Sequence, residues 1–323
     1  MITFIAQRIV KAVIVLLALV VLNFFLIRMA PGDPAMVMAG EAGASDQVYI
    51  AQLREKFGLD KPLPVQLGLY VKGIVTFDLG FSFRQQMPVS KLILDRLPAT
   101  LLLTGSAFVI SLAFGVLFGA LAARFAGTWA DTAITVLALV FYATPLFWVA
   151  LMAILLFSVA MDWLPSFGYE TVGANYTGLT HVLDVGAHLI MPATTIGLFF
   201  MATYARMTRA SMLEVGRLDF VKTARAKGLS DSVIQRRHIL RNALLPVVTL
   251  AGLQAGTLVG GAVLTETVFA WPGIGRLMYE ALLQRDYNLL LGVFVVCSAM
   301  VLAFNLITDL VYRSVDPRIE YAS

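Results

Sequence analysis

The chain has 323 residues, 59% of them hydrophobic and only 14% charged, with a mean hydropathy of +0.83; a soluble domain averages roughly 45–50% apolar and about 25% charged. This is the composition of an integral membrane protein. One cysteine, Cys297, excludes a disulfide framework and a thiolate metal centre, and a net charge of +4 with no aromatic residues interleaved among the basic ones gives no nucleic-acid groove.

Six apolar runs follow one another along the chain, at about 9–29, 98–124, 133–160, 188–207, 243–265 and 289–312. Each approaches the roughly 20 residues that a helix needs to cross a bilayer. The runs are too long for barrel strands and lack their alternation, so six transmembrane helices in an all-α protein are predicted. The first run begins after Arg8 and Lys11, but its apolar core exceeds a signal-peptide core of about 7–15 residues, and Arg28-Met-Ala-Pro makes a poor cleavage site. It reads as a retained span.

Between the first two spans, residues 31–97 form a long outer segment. Ile50, Leu53 and Phe57 at helical spacing predict a helix over Gln47–Phe57 with Gly58 as its stop. Pro62 and Pro64 are expected to break the chain there. A second short helix is predicted over Gln66–Thr76, with Leu67, Tyr70, Val71 and Ile74 on one side; a helix lying on the membrane surface and a platform for an external partner both satisfy the pattern. The layout is therefore span 1 within 1–30, the outer segment 31–97, a five-span core over 98–313 and a tail over 314–323.

Charge orients the spans. Residues 161–187 contain no Lys or Arg, whereas the 208–242 loop holds the densest basic group of the chain. The first loop is expected outside and the second inside, with both termini cytoplasmic. No acidic or basic residue falls in the middle of any run, so a proton relay or ion site is not expected. Asn23, Thr194, Thr195, Gln254 and Asn305 read as groups that hydrogen-bond between helices. His181, His188 and His238 fit no metal spacing, and Ser and Asp are too scattered for a triad. No catalytic, cofactor-binding or metal residue is assigned, and the chain is not expected to be an enzyme.

Gly252, Gly256 and Gly260 recur every fourth residue in the fifth run, and Gly115 and Gly119 do so in the second. Small residues at this spacing let another helix approach closely. Packing within the chain and a dimer interface or pore wall both satisfy the pattern.

The cytoplasmic loop carries the most informative segment. Glu214 to Lys227 is predicted as a helix of three to four turns. Lys222, Arg225 and Lys227 sit towards its C-terminal end, where positive charge complements the helix dipole. Gly228 is placed to adopt the left-handed conformation that ends it. Phe220, Val221 and Ala224 make a narrow apolar face, and the small side chains of Thr223, Ala224 and Ala226 suit insertion into a protein cleft better than contact with lipid headgroups.

Several stretches share a further property. Pro31-Gly-Asp-Pro34, Gly58-Leu-Asp-Lys-Pro-Leu63, Asp78-Leu-Gly80, Arg96-Leu-Pro-Ala-Thr100, Thr223-Ala-Arg-Ala-Lys-Gly-Leu229, Arg241-Asn-Ala-Leu-Leu-Pro246, Glu266-Thr-Val-Phe-Ala-Trp-Pro-Gly-Ile-Gly275, Arg285-Asp-Tyr287 and Asp316-Pro-Arg-Ile319 occur in this order. Together they resemble the B-type permease subunit of the bacterial dipeptide/oligopeptide/nickel ABC importer family. Three departures stand out: Lys222-Thr-Ala occupies the place of the wider family's Glu-Ala-Ala, the interval from Gly228 to Pro246 is longer than in sugar permeases, and Asn288 replaces the proline usual after Arg-Asp-Tyr.

The resemblance implies a six-span ABC importer permease in the bacterial inner membrane. It implies pairing with a second, homologous permease subunit, docking on two ATPase subunits, and delivery of substrate by an extracytoplasmic binding protein. ATP and magnesium would be held by the ATPases, since this chain lacks a Gly-x-x-x-x-Gly-Lys-Ser/Thr loop. By the same resemblance Glu214, Asp219, Phe220, Val221, Lys222, Thr223, Ala224, Arg225, Ala226, Lys227 and Gly228 would form the coupling segment. Di- or oligopeptides are the expected cargo; nickel chelates, opines, glutathione and glycosides are carried by the same branch. A membrane scaffold or channel working without an ATPase is the reading from a different class.

Overall fold

A computed structural model describes residues 2–29, 36, 46–56, 60–82 and 84–315. The expected stop at Gly58 and the Pro31-Gly-Asp-Pro34 and Asp316-Pro-Arg-Ile319 stretches lie outside these residues. The elements are α1 (Ile2–Met29), α2 (Gln47–Lys56), α3 (Leu63–Val75), β1 (Phe81–Ser82), β2 (Met87–Pro88), α4 (Val89–Arg124), α5 (Trp129–Ala143), α6 (Leu146–Ala153), α7 (Leu179–Val215), α8 (Asp219–Ala226), α9 (Asp231–Val233), α10 (Arg241–Gly261), α11 (Val263–Val268), α12 (Ile274–Gln284) and α13 (Tyr287–Val315). π-helical stretches at Ile154–Ala160 and Ile234–Leu240 extend α6 and join α9 to α10. Among the described residues, five helical stretches are long and apolar enough to cross a bilayer: Ala6–Leu26, Val89–Arg124, Leu179–Val215, Asp231–Gly256 and Tyr287–Thr308.

The third expected span is not straight. Trp129–Ala143 and Leu146–Ala160 meet at a bend of 102°, so the straight helix expected here is broken in two. Pro145 explains the break. It disfavours helical backbone at the preceding residue, and Thr144 is extended, with φ −81° and ψ 134°. Pro98, Pro192 and Pro246, by contrast, lie inside helices. The helix after Pro62 starts at Leu63 rather than Gln66. Pro64 does not break it, because the amide that proline lacks has no partner in a first helical turn anyway.

The chain divides into two compact units. One comprises Met1–Pro98 and Gly273–Leu302. Its core joins Val89, Ile93, Ile274, Leu277, Leu289 and Val293. A Cβ on Gly292 would stand 2.5 Å from Val89 Cγ1, so the Val89 side chain of α4 packs directly on the α13 backbone. The antiparallel β1–β2 pair, in register Phe81 with Pro88 and Ser82 with Met87, is tied to the α12–α13 corner. The Ser82 hydroxyl donates to the buried Asp286 carboxylate. Asp286 Oδ1 also accepts the Leu289 amide at 3.1 Å, capping α13, and Asn288 Nδ2 donates to the Phe81 carbonyl at 3.1 Å. Asn288 therefore gives this corner a hydrogen bond that a proline side chain could not make. In the same unit, Phe24 of α1 and Tyr70 of α3 face each other with ring centroids 5.8 Å apart.

The second unit comprises Ala99–Pro272 and Ala303–Ser323. Helix α7 is its spine, with residues buried along most of its length. Gly115 and Gly119 of α4 admit α7 to backbone distance: a Cβ at the first would lie 2.4 Å from Tyr204 Cβ, and at the second 2.5 Å from the Ala205 carbonyl oxygen. Gly252 of α10 admits α13 in the same way. Its Cβ would meet Thr308 Cγ2 at 1.9 Å, and Thr308 Oγ1 donates to the Gly252 carbonyl at 3.0 Å. Gly256 is buried in α10; Gly260 lies in the same helix, its surroundings outside the description.

Two of the recognised stretches meet here. Thr100 Oγ1 donates to Glu266 Oε1 at 2.8 Å, and Trp271 Nε1 donates to the Ala99 carbonyl at 2.8 Å; Glu266 and Trp271 are fully buried. Trp271 is delivered by a left-handed stop at Ala270, φ +50°, where the Trp271 amide reaches back to the Glu266 carbonyl at 2.8 Å.

Gly119→Leu should destabilise the detergent-solubilised protein by about 1–3 kcal/mol or more, as overpacking does. Gly105→Ala, whose added Cβ meets nothing within 4 Å, should be neutral or slightly stabilising. Thermal unfolding of the two variants side by side checks this; equal melting temperatures would show that α4 and α7 separate easily.

Candidate coupling site

The segment expected as one helix over Glu214–Lys227 is two. Helix α7 runs to Val215, and Glu214 belongs to its last turn. Gly216, Arg217 and Leu218 form a turn in which their amides reach back to Met212, Glu214 and Val215. Leu218 is extended, with φ −72° and ψ 151°, and α8 then begins at Asp219. Glycine is a poor helix former, and Asp219 in the first turn complements the new N-terminus. The chain turns here so that a separate short helix, rather than a continuation of α7, presents the Asp219–Ala226 face.

Helix α8 has a rooted side and a free side. Val221 and Ala224, three residues apart, are buried against Met212, Ile234, Ile239 and Ala243. Asp219, Phe220, Lys222, Thr223, Arg225, Ala226 and Lys227 are exposed, and Lys222 Nζ pairs with Asp219 Oδ1 at 2.8 Å. The pair is fully solvated and contributes little to stability. The expected insertion surface of Thr223, Ala224 and Ala226 is thereby corrected. Ala224 packs into its own chain, because Val221 and Ala224 are the positions on α8 that meet the apolar floor, and only Thr223 and Ala226 of the three face outward.

The helix ends as a Schellman motif. Gly228 has φ +74°, its amide donates to Arg225 at 2.9 Å, and the Leu229 amide donates to Ala224 at 3.4 Å. A β-branched side chain is strained at this φ.

An ion pair near the C-terminal end of α7 braces the mount. Arg209 Nε and Nη2 donate to the two oxygens of Asp131, at the start of α5, at 2.6 and 2.7 Å. Asp131 Oδ2 also accepts the amide of Gly127 at 3.0 Å. Forked guanidinium–carboxylate bonds of this kind fix geometry as well as charge. Asp131 is buried, and sequence reading passed over it because its partner lies 78 positions away. The glycine positions Gly252, Gly256 and Gly260 lie in α10 and do not join this site. The histidines do not meet: His181 faces Glu170 at 3.2 Å, and His188 Nδ1 lies 2.9 Å from the Asp184 carbonyl. Among the described residues no group of three or more His, Cys, Asp or Glu could hold a metal ion.

Residues 115–321 match the family model described as the inner membrane component of binding-protein-dependent transport systems, and residues 1–104 match the N-terminal membrane component of the same systems. The chain belongs to this family of transport permeases. The dipeptide transport system permease protein DppB of Escherichia coli (strain K12) is 40% identical over 338 residues, covering 99% of each chain. DppB of Alkalihalophilus pseudofirmus is also 40% identical, covering 99% of this chain and all of that one. A solved inward-facing structure of the MetNI methionine ABC transporter matches 70% of this chain and 96% of its own with a TM-score of 0.55 and 21% identity, a likeness of fold alone. The fold is thus that of an ABC importer permease, and the chain is a multi-pass inner membrane protein.

Ala224→Trp should loosen the loop from within, raising amide exchange and protease cutting across 216–240. Gly228→Val should do so more weakly, at a cost of about 1–2 kcal/mol of backbone strain. Ala226→Ser, on the exposed side, should leave both readouts at the wild-type level. An unchanged Ala224→Trp exchange pattern would mean that α8 is not seated on Val221 and Ala224.

Proposed function

We propose that this chain is the permease subunit of an ATP-driven, binding-protein-dependent importer of di- or oligopeptides, and that it receives the force of ATP binding through α8. The near-full-length likeness to two dipeptide transport permeases supports the cargo. The observation that carries the coupling role is the two-sidedness of α8: one side seated in the chain's own core, the other exposing Phe220, Thr223 and Ala226 between basic residues.

In this reading a second, homologous permease completes the passage, two ATPase subunits bind ATP and magnesium and hydrolyse the nucleotide, and an extracytoplasmic binding protein delivers the peptide. The exposed side of α8 enters a cleft of one ATPase. Closure of the ATPases pushes on α8, and because Val221 and Ala224 are packed on Met212 of α7 and Ala243 of α10, the push reaches two membrane helices rather than bending a loop. The basic 208–242 loop and both termini are cytoplasmic, and the 161–187 loop, free of Lys and Arg, is outside.

Reporter fusions after Gly173 and after Ser230 should report outside and inside respectively; the reverse pattern would invert the orientation. In vesicles holding the assembled transporter, Phe220→Asp should lower ATP-driven dipeptide uptake and binding-protein-stimulated ATP hydrolysis together, by tenfold or more, with normal insertion and thermal stability. Uptake that continues without ATP, or that follows a proton gradient, would favour a channel or a gradient-driven carrier and overturn the importer reading.

A further inference from the structure

Arg206 closes the fourth apolar run, next to the basic loop, but its side chain turns back along the span. Helices α5 and α7 run antiparallel: Asp131 meets Arg209 near one end, and the ring of Tyr142 stacks on that of Phe199 further along, with centroids 5.6 Å apart. Tyr142 and Phe199 each stand about 15 Å further along their helices than the ion pair, at ~1.5 Å per residue. The Arg206 guanidinium lies over the Tyr142 ring, 5.2 Å from its centroid. Side chains on a helix lean towards its N-terminus, and for α7 that direction leads away from Arg209 into the apolar stretch. A fixed positive charge is therefore held beside the apolar part of α5.

This face is open. Arg206 is exposed, Tyr142 is 44% exposed, and among the described residues no carboxylate pairs with Arg206. An arginine within a span faces a bundle interior or a water-filled cavity, not lipid. The guanidinium presents donors in a planar fork that matches a carboxylate, and the two rings beside it form an apolar wall. A short peptide carries this combination: a terminal carboxylate next to a side chain.

We propose that Arg206, set against Tyr142 and Phe199, lines the aqueous passage and receives the carboxylate of the peptide in transit. The proposal rests on the peptide-importer reading. The site is a weak, single-charge station: one arginine, partly occupied by its ring, holds the carboxylate long enough to orient the peptide and releases it by exchange with water.

The test uses the assembled transporter in vesicles with its binding protein and radiolabelled alanyl-alanine. In a Cys297→Ser background that retains uptake, Arg206→Cys should react with a charged, membrane-impermeant thiol reagent, and saturating dipeptide with binding protein should slow that reaction severalfold. With Cys297 intact, Arg206→Gln should lower dipeptide uptake about tenfold or more while leaving subunit assembly and binding-protein-stimulated ATP hydrolysis in place, and Arg206→Lys should recover part of the uptake. A thiol that does not react would put this face against lipid or protein and overturn the proposal. An Arg206→Gln complex that falls apart would assign the charge to the partner permease, and wild-type uptake by that variant would remove the carboxylate role; either result overturns the proposal. Failure of the importer reading is visible separately, as absence of ATP-dependent dipeptide uptake by the unaltered transporter, and the proposal falls with it.

Discussion

Close backbone contact between α4 and α7 is the constraint on which the second unit depends. Inside a bilayer, apolar side chains gain little by leaving lipid for one another, so helices associate through van der Waals contact and hydrogen bonds. Gly115 and Gly119 supply the contact by omission: the positions their side chains would occupy are taken by Tyr204 and by the Ala205 backbone. Gly197 does the same from α7, where an added Cβ would meet Ile110 at 2.6 Å. With the two helices pressed together over this length, α7 becomes a fixed rod, and what it carries at its C-terminal end inherits a defined position.

Three features hang on that rod. The fork from Arg209 to Asp131 ties it to the start of α5. The turn at Gly216–Leu218 sets α8 at a new angle and drops Val221 and Ala224 onto the floor made by Met212, Ile234 and Ile239. The Arg206 guanidinium projects from it over Tyr142. A helix of eight residues has little stability alone. Here α8 is held by two buried side chains and a Schellman stop, and the remaining side chains are exposed. Function at such a surface needs rigidity below and freedom above, and the i, i+3 placement of Val221 and Ala224 provides both.

Much of this was legible in the sequence. The length of the apolar runs set the number of crossings, and the stop at Gly228 follows from a glycine placed after a basic helix end. The close-packing glycines were visible as a pattern, but not what they pack against, since spacing marks a face and leaves its partner open. The bend at Thr144–Pro145 was hidden inside a continuous apolar run because hydropathy is blind to the backbone restriction before proline. The division of the coupling segment at Gly216 and the inward side of Ala224 were missed for a related reason. A helical wheel drawn through a break mixes two faces, so the floor beneath α8, assembled from Met212 on one side and Ile234 and Ile239 on the other, could not be assigned. Arg206 falls at the end of the fourth apolar run, where hydropathy says nothing of its direction, while its charge is carried back along the helix to Tyr142.

Two of the stretches that carry the resemblance, those ending at Thr100 and beginning at Glu266, are contact partners, which gives a physical reason for their joint occurrence. Ala99 and Thr100 offer a carbonyl and a hydroxyl, and the stretch beginning at Glu266 returns a carboxylate and an indole N–H to meet them. Neither half is affordable without the other: a buried carboxylate or indole N–H lacking its partner is costly. The left-handed backbone at Ala270 is the geometric condition for this exchange, since it directs Trp271 back under Glu266. The corner at Asp286 follows the same logic with different chemistry. Asp286 caps α13 and takes the Ser82 hydroxyl, and Asn288, the departure from the family pattern, adds a bond to the adjacent Phe81 carbonyl. A proline at that position would stiffen the first turn of α13 through its fixed φ; asparagine instead pins the same turn from outside. The side-chain hydrogen bond from Asn288 thus anchors the entry into the last helix to the β1–β2 pair, by a route that a proline side chain does not offer.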